Sequence, residues 1–72
     1  MMEKIFEHLK EHKPIIVNYG KSFFGDKDIK EEAYFDEEIQ KYRSETGIWG
    51  NKTLREIARG EIKGYSIELL VD

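Results

Sequence analysis

Apolar residues near the N-terminus recur at helical spacing. Met2, Ile5, Phe6 and Leu9 form one stripe, with Glu3, Lys4, Glu7 and Lys10 around the other side. This predicts an amphipathic helix of about three turns. Pro14 bounds it, because the residue before a proline is pushed out of the helical region. Ile15-Ile16-Val17-Asn18-Tyr19 is β-branched and nearly all apolar, which predicts a buried strand that Gly20 breaks. Phe23 and Phe24 fit a short second strand of a hairpin, closed by Gly25-Asp26.

Polar residues then take over, and the pattern changes. Asp28 followed by Glu31 reads as a capping box, with Ile29, Ala33, Phe35, Ile39 and Tyr42 on the apolar side of an acidic helix. The stripe jumps register near Asp36. The segment is therefore one helix with an irregular middle, or a turn followed by a helix from about Asp36. Gly47 ends it either way. On the helical reading Phe35, Ile39 and Tyr42 share a buried side, and Tyr34 lies about a quarter-turn away, beside the acidic residues.

Ile48-Trp49-Gly50-Asn51 reads as a connector carrying one large anchor, either a core plug or an exposed contact. Thr53 and Glu56 form a second capping box, opening a short helix through Arg59 that Gly60 terminates. Tyr65, Ile67, Leu69 and Val71 alternate with Ser66, Glu68 and Leu70, a period-2 strand with one face to the core. These elements predict an α+β fold in a single compact domain over residues 1–72. Its two- or three-stranded, mainly antiparallel sheet is covered by an N-terminal helix, an acidic central helix and a short third helix. The last strand lies close to the C-terminus and is expected at a sheet edge, where it could pair with a second copy.

Composition narrows the function classes. A chain of 72 residues has a thin stability margin, and the absence of cysteine removes disulfides and thiolate zinc sites as staples. Nine aromatic residues supply the remaining means of stabilisation, packing or self-association. No apolar run approaches the ~18 residues that span a bilayer, and the N-terminus has no hydrophobic core of a signal peptide, so the cytoplasm is expected. The net charge of −3 argues against non-specific nucleic-acid binding. That surplus is concentrated. Asp26–Glu45 holds eight acidic against four basic residues, net −4, so the remainder sums to +1. Large aromatics among these charges point to a folded binding surface rather than a disordered acidic tail.

Three patterns suggest other chemistry. His8-Leu9-Lys10-Glu11-His12 resembles the H-x-x-E-H motif of inverzincin metalloproteases, whose two histidines bind zinc and whose glutamate is the general base. A catalytic zinc needs a third protein ligand, and no other His or Cys exists in the chain. The segment from Thr53 to Ala58 has the character of a first helix of a helix-turn-helix. Neither Gly60 nor Ala58 falls in the required register, and the residues that follow read as a strand. Gly47 to Thr53 lacks the spacing of a phosphate loop.

The expected function is therefore a small, acidic, non-enzymatic regulator that binds a basic surface on another protein, with no cofactor or metal. Glu31, Glu32, Asp36, Glu37 and Glu38 would steer the partner, and Tyr34 and Trp49 would anchor it. In size and character this matches compact inhibitors of the kind phages encode. The alternative is a nucleic-acid-associated regulator using Lys52, Arg55, Arg59 and Lys63. A metal-dependent hydrolase built on His8, Glu11 and His12 is the remote third reading.

Overall fold

The computed structural model describes residues 2–21, 25 and 27–69. In chain order its elements are α1 (Met2–Lys10), β1 (Ile15–Lys21), β2 (Asp28–Asp36), β3 (Lys41–Arg43), β4 (Ile48–Trp49), α2 (Asn51–Ala58) and β5 (Ser66–Glu68). All the strand pairs are antiparallel, in the spatial order β4-β3-β2-β1-β5. The fold is α+β, but with five strands and two helices among the described residues. The hairpin expected at Phe23 and Phe24 and the end of the strand read through Val71 lie outside them.

The acidic central helix is overturned: that segment is β2, a turn and β3. The reason lies in the spacing of its apolar residues. Ile29 and Ala33 are four apart, a separation that shares a face in a helix and in a strand alike. Phe35 decides between them, since it continues a period of two from Ala33 and leaves the helical stripe. Accordingly Ala33 is fully buried and Phe35 half-buried, while Glu32 and Tyr34 on the alternate positions are exposed. Ile39 lies in the exposed turn rather than on a buried helical side.

A carboxylate shapes that turn. Asp36 Oδ1 accepts the Glu38 N–H at 2.9 Å, so Asp36 does cap the following backbone, but for one turn only. The Gln40 N–H closes back on the Asp36 carbonyl at 2.8 Å, with Gln40 left-handed at φ 58°. A side chain in that conformation is strained by roughly 1–2 kcal/mol. Gln40→Gly is expected to raise stability by about 0.5 kcal/mol, once the greater freedom of glycine in the unfolded chain is offset. The readout is a thermal midpoint about 2–4 °C higher.

Both helices end in the same way. In α1 the Lys13 N–H reaches the His8 carbonyl (2.9 Å) and the His12 N–H the Leu9 carbonyl (3.4 Å); in α2 the Glu61 and Gly60 N–H groups reach Glu56 and Ile57 (3.0 Å each). These are Schellman caps with a left-handed residue, His12 at φ 59° and Gly60 at φ 76°. The second helix opens two residues before Thr53. Gly50 is its N-cap, with no side-chain cap, so the Thr53/Glu56 capping box does not form.

One face of the sheet packs under the helices. Leu9, Ile15, Val17, Ala33, Tyr42, Leu54, Ile57 and Ile67 form the buried core. The sheet also curls. β4 and β5 occupy opposite edges, four strand spacings or about 19 Å apart if flat, yet the rings of Trp49 and Tyr65 come within 6.0 Å. Tyr19 bridges them, 5.7 Å from each. β2 carries the bend, pairing with β1 up to Ala33 and with β3 from Tyr34 onward. Helices and core therefore fill the concave side, and the convex side faces water.

Candidate functional site

Cross-strand partners in an antiparallel sheet project to the same face. Register therefore assigns the convex side directly. Tyr34 pairs with Arg43, and Arg43 with Ile48. Ile16 lies between Glu32 and Glu68, Asn18 between Lys30 and Ser66, and Asp36 opposite Lys41. A ridge of Tyr34, Arg43 and Ile48 thus runs across three strands, with charged residues on both sides. Tyr34 is 52% and Ile48 56% exposed, large apolar surfaces that the rest of the chain leaves in water.

Hydrogen bonds fix much of this face. Arg43 Nε lies 3.2 Å from Asp36 Oδ2, and Lys30 Nζ 3.0 Å from Glu68 Oε1. Asn18 is buried, and its amide donates to Asp28 (3.2 Å) and Glu68 (3.0 Å) while its oxygen accepts the Gly20 N–H (2.8 Å). The Asn18 and Lys30 hydrogen bonds hold the Glu68 carboxyl below the usual carboxylate range. The Tyr34 hydroxyl donates to the Glu32 carboxylate, and that bond raises the phenol above its ordinary value. Asp28, Glu32, Asp36 and Glu68 face Lys30, Lys41 and Arg43, and the turn adds Glu37 and Glu38. The negative surplus therefore sits around the turn.

Two shallow depressions flank the ridge. One is lined by Asp36, Glu37 and Glu38 with Phe35, the other by Lys30, Glu31, Glu32, Ser44 and Glu45; only Tyr34 and Arg43 line both.

The residues expected from sequence are thus partly assembled and partly separated. Glu32, Tyr34 and Asp36 share the convex face, and Glu37 and Glu38 continue it at the turn. Glu31 points to the other face of β2, as neighbouring strand residues do, and reaches the second depression only from that side. Its carboxylate accepts hydrogen bonds from the Thr46 N–H (3.2 Å), the Thr46 hydroxyl (2.9 Å) and the Tyr19 hydroxyl (3.0 Å), clamping the loop between β3 and β4. Burial raises the Glu31 carboxyl, but these bonds outweigh it and hold the group below the usual range. Trp49 pairs with Tyr42 and so lies on the core side, half-buried, with its ring N–H donating to Ser44 Oγ at 3.1 Å. Arg43 was missed from sequence. It becomes visible only when residues 41–43 are read as a strand.

The other two constellations are placed elsewhere. Lys52, Arg55 and Arg59 are exposed along or just beyond α2, and Lys63 in the loop that follows; Arg59 pairs with Glu61 at 2.8 Å. No second helix follows α2 among the described residues. His8 and His12 do not share a helical face, because α1 ends at Lys10. The His8 Nδ1–H donates to the Lys4 carbonyl at 2.9 Å, and His12 stacks on Phe35 with ring centroids 3.6 Å apart. Glu11 pairs with Lys13 at 3.0 Å, which lowers its carboxyl. Among the described residues, no three His, Cys, Asp or Glu side chains are grouped to hold a metal ion, and no helix is long and apolar enough to cross a membrane. Comparison of the chain with known protein families, with curated proteins and with solved structures finds no match.

Proposed function

We propose that this protein is a small non-enzymatic regulator that binds a basic surface of another protein through its convex sheet face, blocking that surface. One observation carries the reading: a half-exposed Tyr34 stands at the centre of a structured face, between two depressions whose linings hold more carboxylates than cations. An aromatic group ringed by charges is the usual composition of a binding hot spot, where the rim excludes water from the anchor. Glu32, Asp36, Glu37 and Glu38 supply attraction at a distance, and Tyr34 supplies the desolvated contact. Trp49 contributes indirectly, by holding the curl of the sheet from its concave side.

The test is capture of the partner by wild-type protein and by two variants. Glu37 and Glu38 are exposed in the turn, so Glu37→Lys with Glu38→Lys leaves the circular dichroism spectrum in place and weakens capture about tenfold or more at low salt. Tyr34→Ala lowers affinity by about 2 kcal/mol, the effect of removing a central aromatic anchor. Added salt narrows the gap between wild type and the charge-reversed variant. Equal capture by all three proteins would overturn the proposal.

A further inference from the structure

The two depressions specify the partner more narrowly than charge does. One lies beside Lys30 and Glu32 in the middle of β2 and the other beside Asp36 and the turn, with the Tyr34–Arg43 ridge between them. Residues 32 and 36 are four apart on one face of a strand, a separation of about 13 Å. The ridge continues to Ile48, so a segment that engages both depressions must cross it in the direction of β2. The face is convex, and neither depression on it is the apolar groove that a docked amphipathic helix would require. An extended chain lying along the surface fits it. Its alternate side chains reach the same side at about 6.6 Å intervals, so a residue and its fourth neighbour match the two depressions, and the one between them meets the ridge.

Building on the proposed regulator role, we infer that the convex face takes an extended segment of the pattern basic–x–apolar–x–basic from its protein partner. The first and last side chains enter the two depressions, meeting Glu32 and Glu45 beside Lys30 in one and Asp36, Glu37 and Glu38 in the other. The central apolar side chain packs on the exposed ring of Tyr34 and on Ile48, while Arg43, held by Asp36, keeps the ridge in place. The spacing of the basic residues, and not their number, is then what the face selects.

The full chain can be tested with two capped synthetic peptides of one composition and charge. One reads Arg-Ser-Leu-Ser-Arg, and the other, Ser-Arg-Arg-Leu-Ser, sets the two arginines side by side. Amide resonances of the labelled protein report on both affinity and location. The spaced peptide is expected to shift Glu32, Tyr34, Glu37 and Glu38 and to bind about tenfold more tightly than its isomer, the gain of a second site engaged through one linkage. Glu37→Gln with Glu38→Gln is expected to remove that advantage by weakening one depression. Equal affinities would overturn the inference and leave the regulator reading intact, since the face would then select on charge alone. Shifts confined to another surface, or no binding by either peptide, would overturn it as well. Failure of the regulator reading shows separately, as partner capture that ignores the reversal of Glu37 and Glu38.

Discussion

Tyr42→Ala is expected to remove a large part of the stability of the fold, about 3–5 kcal/mol. Tyr42 is the largest fully buried side chain, placed on β3 where its ring meets Phe35 edge-on at 5.4 Å. Removing a buried aromatic costs about 3–5 kcal/mol, from lost transfer energy and the cavity left behind. A chain of this length has roughly 4–11 kcal/mol in total. The tyrosine also ties two layers together, because its hydroxyl donates to the His8 carbonyl (3.2 Å) and the Lys13 carbonyl (2.8 Å) at the end of α1. A urea transition moved to much lower denaturant in far-ultraviolet circular dichroism is the expected readout for the alanine variant. A transition within about 1 kcal/mol of wild type would show that the site collapses around the lost ring.

Tyr42→Phe separates the hydroxyl from the ring. It keeps the packing, removes one donor from two carbonyls, and is expected to cost about 1–2 kcal/mol. It also alters the pH dependence. Burial pushes the Tyr42 phenol up to about 12 from an ordinary value of 10.0. Below pH 10 the folded and unfolded chains both keep this proton, and stability is unaffected. Between pH 10 and about 12 the unfolded chain loses it first, so stability falls as pH rises through that window. The variant should show a shallower decline. A part of the slope survives in it, because Tyr34 is shifted in the same direction by its bond to Glu32.

Elements with a single strong period were legible in the sequence, and those whose spacing suits two periods were not. The stripe of α1 and the apolar run of β1 stand where their spacing puts them, and Ile67 is buried as the alternation of the last strand requires. The interval from Ile29 to Ala33 satisfies a helix and a strand equally. The run Asp36-Glu37-Glu38 imitates a helix start because Asp36 caps the backbone in both settings. The hairpin turn carried no glycine or asparagine to announce it, since Gln40 takes the left-handed position. The consequences for the site follow from the same ambiguity. Tyr34 and Phe35 diverge on either element, so the exposed aromatic was identifiable despite the wrong period. Glu31 and Glu32 stay close on a helix surface and part on a strand. Only the strand reading moves Glu31 to the loop clamp and brings Arg43 beside Tyr34.

Gly20→Ala is expected to be the most damaging change of a single methyl group. Gly20 ends the regular part of β1 at φ +86°, a conformation that costs a side chain roughly 1–2 kcal/mol. A Cβ there would also lie 2.9 Å from the Gly64 carbonyl oxygen, a backbone atom that cannot rotate away. Relief requires moving the loop before β5. That loop is held where it is by Tyr65, whose ring packs on Tyr19 and Trp49, and by the pairing of Ser66 with Asn18. The displacement therefore loosens the contact that joins the two edges of the curled sheet. Overpacking adds about 1–3 kcal/mol to the backbone strain, for an expected loss of about 2–5 kcal/mol. Gly60→Ala is the matched control, because Gly60 has a similar φ of +76° with nothing within 4 Å of the added methyl. It should cost only the strain, about 1–2 kcal/mol. Urea midpoints for the two variants isolate the close approach of Gly20 to Gly64. Equal losses would mean that the loop moves aside freely and that the aromatic trio does not hold it.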